Sequence, residues 1–278
     1  MEVDEFGARL DVPACRKGLS MSVDSYLSSL GNSLVVRDSE KQSIDRSVDT
    51  LISRANAYFG GFDRCLVFGS YTRGTILPRK VDDHSDVDIM MVFDDEDDYK
   101  PQTYICRIKK FAEEKYWSSV VHQERPSVVL DMQHIRIEMT PGKNYGVEGW
   151  YYIPLDTSAW QLTKPNSFNS DLVKCNGNNG YKVKPVIRLM KHWNVSRNYR
   201  ALPSFELEST LVDALMYKYL SCSSYTDYVL ASFEAIRWKT STSRVERAIS
   251  KVNSAIAYEA AGFPYIALSE IKDVFPGV

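Results

Sequence analysis

Paired cysteines are missing from this sequence. Cys15, Cys65, Cys106, Cys175 and Cys222 are odd in number and widely scattered, and no CxxC occurs. Neither a disulfide framework nor a thiolate zinc site is indicated, and a reducing compartment suits such thiols. Long apolar runs are missing too: none approaches the roughly 20 residues of a membrane span. Charge of one sign is not in excess. With 34 Lys and Arg against 36 Asp and Glu, the net charge is −2, so no global basic field draws the chain to nucleic acid; a local basic groove is still compatible with that balance. Histidine is scarce. His84, His122, His134 and His192 lie far apart without partner spacing, and no histidine base is indicated. The N-terminal MEVDEFGARLDVP is acidic and has no apolar centre, unlike a secretory signal. The expectation is a cytoplasmic protein.

What is present is ordinary globular patterning. Residues 1–20 read as a loosely held arm. Val23, Tyr26, Leu27 and Leu30 mark one apolar helical stripe. Ile44, Val48, Leu51, Ile52 and Ala55 mark a longer one, with Asp38 and Ser39 as cap candidates and Gly60-Gly61 as the stop. Cys65 to Phe68 reads as a buried strand, and Asp86 to Phe93 as another. Asp94 to Asp98 reads as a solvated acidic turn. Residues 102–119 have helical period. Ser127 to Met132 and Ile135 to Thr140 read as a hairpin turning at Gln133-His134. After Pro141, Gly, Asn, Pro and aromatic residues dominate as far as Gly180. Beyond that, helices are predicted at 182–194, 204–221, 225–238 and 243–258, with a short final segment. The division expected is an arm (1–20), a catalytic α/β lobe (21–160) and a helical lobe (161–278), with the first helices free to pack on either lobe. A site belongs in the cleft between lobes.

The informative stretch is Gly69-Ser70-Tyr71-Thr72-Arg73-Gly74-Thr75, then ten residues, then Asp86-Val87-Asp88. Glycine and serine straight after a buried strand permit a tight turn whose N–H groups, with the Ser70 hydroxyl, can hold phosphate oxygens. Asp86 and Asp88 are two apart on a strand, so their carboxylates project from one face. Such a pair repels unless a divalent cation lies between them, and Mg²⁺ prefers such oxygen ligands. A second metal requires a third acid. Arg136, Glu138 and Thr140 share one face of their strand, and a lone acid among apolar strand neighbours is expensive unless ligated or paired. Asp131 on the preceding strand is the competing candidate. Arg73 reads as structural or acceptor-side, and the many tyrosines as mostly core and interface.

Gly-Ser-x-x-x-Gly-Thr, Asp-x-Asp and then Glu138-Met139-Thr140-Pro141 together resemble the DNA polymerase β-like nucleotidyltransferase superfamily. Tyr151-Tyr152-Ile153-Pro154-Leu155-Asp156 with Trp160, Thr163 and Pro165 is similar to the stretch that follows the third acid in bacterial CD-NTases, the cyclic GMP-AMP synthase-like enzymes of the SMODS group. Ile187 to Asn194 and Pro203 to Glu208 resemble that group's helical-lobe motifs, and the closing Phe275-Pro276 resembles its usual C-terminal end. The likeness spans roughly residues 22–278.

The resemblance implies an α+β protein: a polymerase β-like nucleotidyltransferase lobe with a mixed sheet, a mostly helical C-terminal lobe, and the active site between them. It implies a nucleotidyltransferase that joins NTPs into a linear or cyclic oligonucleotide messenger and releases pyrophosphate, with two Mg²⁺ ions held by Asp86, Asp88 and Glu138. Gly69, Ser70, Lys191 and Ser204 are the implied phosphate-side residues, although Lys191 also reads as an exposed helix lysine and Ser204 as a helix cap. Implied partners are NTPs and a separate effector that senses the product in anti-phage defence (CBASS). Nucleic acid and membrane are not required, and a monomer is expected. In one respect the sequence departs from the pattern. The third acid is usually Asp, and Glu138 is one methylene longer, which suggests tolerance for Mn²⁺. The alternatives are an RNA-end nucleotidyltransferase of the CCA-adding kind, which would want a basic acceptor surface; a degenerate, non-catalytic nucleotide-binding module; and a small antitoxin-type enzyme, which the long helical lobe disfavours.

Overall fold

The computed structural model describes residues 21–60, 63–94, 99–124 and 126–278. The arm, Cys15 and most of the acidic turn lie outside them. Helix α1 (Val23–Ser33) is capped by the Ser22 hydroxyl, which accepts from the Ser25 N–H. Helix α2 (Asp38–Phe59) ends on Gly60, whose φ of 76° gives it a left-handed cap. Its N-cap is Arg37, one residue before the expected Asp38-Ser39 pair, and makes no side-chain cap bond. Strand β1 (Arg64–Phe68), the short helix α3 (Gly69–Arg73) and β2 (Asp86–Phe93) follow.

Next come α4 (Pro101–Lys115), β3 (Val120–Glu124), β4 (Ser127–Met132) and β5 (Ile135–Asn144). Helix α4 is shorter than its apolar period suggested, because the chain turns after Tyr116 into β3. The hairpin is as read: Met132 pairs with Ile135 across Gln133-His134. Strand β5 runs on past Thr140 through Pro141-Gly142. The Gly- and Asn-rich stretch is less irregular than its composition implied. It holds β6 (Tyr151–Pro154), β7 (Trp160–Thr163) and α5 (Ser167–Asn178). The rest is helical: α6 (Val183–Ser196), α7 (Ser204–Leu215), α8 (Tyr225–Ile236), α9 (Thr242–Ala260) and α10 (Pro264–Val274).

The seven strands form one mixed sheet in the order β1-β2-β5-β4-β3, with β6 on the far end of β5 and β7 beside it. The β2–β5 pair is parallel and sets Asp86 against Arg136 and Asp88 against Glu138. One face of the sheet packs on α2 and α4 through Val87, Ile89, Met91, Leu51 and Phe111. The other carries Asp86 and Asp88 at one end and Met90 and Val92, under Tyr151, at the other.

A separate core joins α1 to the helices after residue 167. Tyr26 donates to the Phe275 carbonyl at 2.7 Å. The approach of α1 to α6 is close enough that a Cβ on Gly31 would lie 3.0 Å from the Pro185 carbonyl. So α1, first in sequence, belongs by packing to the helical lobe. Arg188, buried in α6, donates to Gly31 at 3.0 Å and to Gly74 at 2.9 Å, and so ties the two lobes beside the site. Among the described residues, no helix is long and apolar enough to cross a membrane.

Candidate active site

Strand β1 stops at Phe68, and the chain turns at once into five helical residues. Gly69 makes the turn with φ 74°, a left-handed value that non-glycine residues adopt at a cost. It has a second task. A Cβ at this position would sit 1.7 Å from Asp88 Oδ2. Asp88 fills the space that the missing side chain leaves, while Ser70 lines the cleft. Gly69→Ala is therefore expected to force the Asp88 carboxylate from its place. Displacement by about 1 Å lowers turnover roughly 10²-fold; steady-state rates against the unchanged chain check it.

One carboxylate oxygen each from Asp86, Asp88 and Glu138 lie within 4.8 Å of one another. The parallel β2–β5 register causes this, since it puts Asp88 and Glu138 side by side. Asp131 is placed elsewhere. It lies opposite Arg136 on β4 and accepts from Arg79 at 2.9 Å, while Val129 is the residue opposite Glu138. Burial raises the Asp86 carboxyl to about 7, and the neighbouring charge of Glu138 adds to the effect. Burial, then the charges of Asp86 and Glu138, raise Asp88 well above its ordinary value. Two buried aspartates that resist being charged together, with Glu138 as a third hard oxygen donor, fit a divalent cation.

Behind the carboxylates lies a buried ion triad. Glu208 of α7 has a fully buried side chain, accepts from Arg73 Nε at 2.8 Å and pairs with Lys191 Nζ. Burial alone would raise the Glu208 carboxyl, but the pull of Lys191 and Arg73 takes it below its ordinary range. Arg73 also lies over the Phe168 and Phe205 rings, at 5.4 and 5.6 Å, as a lobe-joining structural residue would. Lys191 lines the cleft, but it is buried and committed to Glu208 rather than exposed. Ser204, exposed at the start of α7, lines the cleft as well. Glu208→Gln leaves two buried cations facing each other. It is expected to lower stability by about 3–5 kcal/mol, read from urea unfolding.

Other lining residues escaped sequence reasoning. Arg136 is buried and bonds Glu124 at 2.6 Å, and its Nε has no partner among the described residues. Arg200 pairs with Asp82 at 2.9 Å and Asp83 at 2.5 Å. The alternation of β5 placed Arg136 on the site face. Nothing local could pair Arg200 with a loop 118 positions away. His84 lines the cleft, and His192 bonds the Pro276 carbonyl at 2.8 Å. The cleft encloses about 530 Å³, the scale of a small-molecule site.

A sheet that sets three carboxylates beside a Gly-Ser turn, roofed by a helical lobe, is the polymerase β-like nucleotidyltransferase fold. Solved structures share it at low identity. CdnC of E. coli MS115-1 with ATP aligns at 13% identity over 90% of this chain and 96% of that one, with a TM-score of 0.68. The CD-NTase CdnG of Bradyrhizobium diazoefficiens with GTP aligns at 11%, over 90% and 98%, also at 0.68. The cyclic AMP-GMP synthase DncV of Vibrio cholerae, with a nonhydrolyzable GTP, aligns at 14%, over 76% and 68%, at 0.59. A comparison with curated protein sequences finds no match. The model of the Second Messenger Oligonucleotide or Dinucleotide Synthetase domain (SMODS) matches residues 21–176. The chain belongs to that family and is a nucleotidyltransferase.

Proposed function

We propose that this enzyme joins nucleoside triphosphates into a linear or cyclic oligonucleotide messenger. The observation that supports it is the meeting of Ser70 with Asp86, Asp88 and Glu138 in one cleft. Asp86, Asp88 and Glu138 would hold two divalent cations, Mg²⁺ by the hardness of the donors, with Mn²⁺ also accepted. When bound, such ions neutralise triphosphate charge and acidify the attacking hydroxyl.

The chain's own groups bind and orient. The Ser70 hydroxyl and the N–H groups of the Gly69-Ser70 turn donate to phosphate oxygens. Lys191 and Ser204 serve the phosphate side from the helical lobe, with Glu208 fixing the position of Lys191. The hydroxyl oxygen of a second nucleotide attacks the α-phosphorus, the bond to the bridging oxygen breaks, and pyrophosphate leaves. Positioning and charge do most of the work in such a transfer. The lining cations Arg136, Lys191 and Arg200 each face a carboxylate. That balance suits a nucleotide acceptor better than a polynucleotide.

The family's role supports a place in the bacterial cytoplasm, where a separate effector reads the product in anti-phage defence. The test is incubation with each labelled NTP and Mg²⁺ or Mn²⁺, without RNA. Phosphatase-resistant oligonucleotides and released pyrophosphate are expected. Transfer only to added RNA ends, or no transfer at all, overturns the proposal.

A further inference from the structure

The helical lobe contains a second cavity, of about 440 Å³, that shares no lining residue with the catalytic cleft. Its wall is basic in a chain whose net charge is −2. Arg244, Arg247 and Lys251 come from one face of α9, spaced three and four apart, and Arg197 comes from the end of α6. The one lining carboxylate, Asp273, is taken by Lys251 at 3.0 Å. Arg197 donates to the Asp273 carbonyl at 2.7 Å and Arg244 to the Asn198 carbonyl at 3.3 Å, and neither meets a carboxylate among the described residues. Arg247 is exposed to the cavity and forms no hydrogen bond or ion pair with a described residue. Carbonyl capping accounts for Arg197 and Arg244 and leaves Arg247 unexplained. Like charges at this helical spacing repel, and guanidinium forks around a concavity match phosphate oxygens.

A second observation links this cavity to the cleft. Tyr199 and Arg200, consecutive and neither of them glycine, both have left-handed backbones, with φ 56° and 54°. Strain of this kind persists where the surroundings hold it and is concentrated at functional and switch segments. The two side chains serve different sites. The Tyr199 ring lies under the Arg244 guanidinium, at 4.7 Å, in the wall of the basic cavity. Arg200 enters the cleft and holds Asp82 and Asp83, in the loop that leads to Asp86.

We infer that the basic cavity binds a small phosphorylated molecule carrying two or more negative charges, and that Tyr199-Arg200 transmits its occupancy to the loop before Asp86. An anion that draws Arg244 onto itself changes the support under Tyr199, and the next residue is the clamp on Asp82.

The inference is independent of what the cleft makes. It is tested on the whole chain in EDTA, where the three uncompensated carboxylates oppose anion binding in the cleft. The probe is inorganic pyrophosphate, followed by titration calorimetry. One molecule per chain is expected. Arg247→Gln, at an exposed residue without partners among the described residues, should bind about 10-fold more weakly or worse, and Arg244→Gln likewise. Hydrogen exchange at residues 82–85 should change when pyrophosphate binds, and Arg200→Gln should remove that change while binding persists. No binding at millimolar pyrophosphate, or binding lost in Ser70→Ala but not in Arg247→Gln, overturns the site. Unaltered exchange at residues 82–85 with the cavity filled overturns the coupling.

Discussion

Asp86→Asn combined with Asp88→Asn is expected to abolish nucleotidyl transfer, by about 10³-fold or more, while the metal-free protein becomes more stable. Both carboxylates lie at the end of β2 that faces the cleft, and the apolar packing of that strand uses Val87, Ile89 and Met91 instead. The double substitution removes charges that burial and mutual repulsion oppose. The sign of the pH effect follows. The ordinary value for Asp86 is 3.8 and the folded value is about 7. Between those values the folded chain keeps a proton that the unfolded chain has released. The Asp86 contribution to the stability of the metal-free protein therefore falls as pH rises from about 4 to about 7 and levels off above that, and Asp88, also raised, adds a fall of the same sign. Each pH unit between the two values is worth about 1.4 kcal/mol, so the fall amounts to a few kcal/mol. Melting of the parent in EDTA should show it, and the Asn variant should lose it. Transfer near the parent rate, or a variant that melts lower at pH 8, would count against the assignment.

Glu138→Gln is expected to remove most turnover while NTP binding stays almost normal. Glu138 belongs to β5, beside Asp88 rather than beside the Gly-Ser turn, and in the proposed function it would hold the cation that acidifies the attacking hydroxyl. Asp86 and Asp88 remain for the triphosphate side. A loss of about 10²–10³-fold in kcat with little change in nucleotide affinity is the expected pattern. Asp131→Asn should do much less, because Asp131 is held by Arg79 and lies opposite Arg136. Its effect is a weakened part-exposed ion pair of about 1 kcal/mol or less. Parallel measurement of kcat and nucleotide affinity for the two variants checks this. Equal losses in both variants would mean that the third acid is misassigned. The longer Glu arm also leads us to expect higher activity with Mn²⁺ than with Mg²⁺, read from rates with each ion alone.

Local pattern determined much of this protein. The apolar run before Gly69, the alternation through Asp86-Val87-Asp88 and the hairpin turn at Gln133-His134 are short-range features, and period 2 alone puts paired carboxylates on one face. The helical periods after residue 182 are equally local. Strand β3 was hidden because Val120 to Glu124 is short and follows a helical period without a glycine or proline stop. Strands β6 and β7 were masked by turn-rich composition. Other decisions needed the folded chain. Glu138 and Asp131 are each an acid on a strand of the same hairpin, and within the sequence only the Glu-Met-Thr-Pro likeness and the apolar setting of its strand favour Glu138. The parallel β2–β5 register, formed across 50 residues, brings Glu138 to Asp88 and leaves Asp131 with Arg79. The packing of α1 on the last helices, the commitment of Lys191 to Glu208 and the reach of Arg200 to Asp82 are likewise long-range. No local signal records them, because partners of this kind are selected by burial and charge only after the lobes have closed on each other.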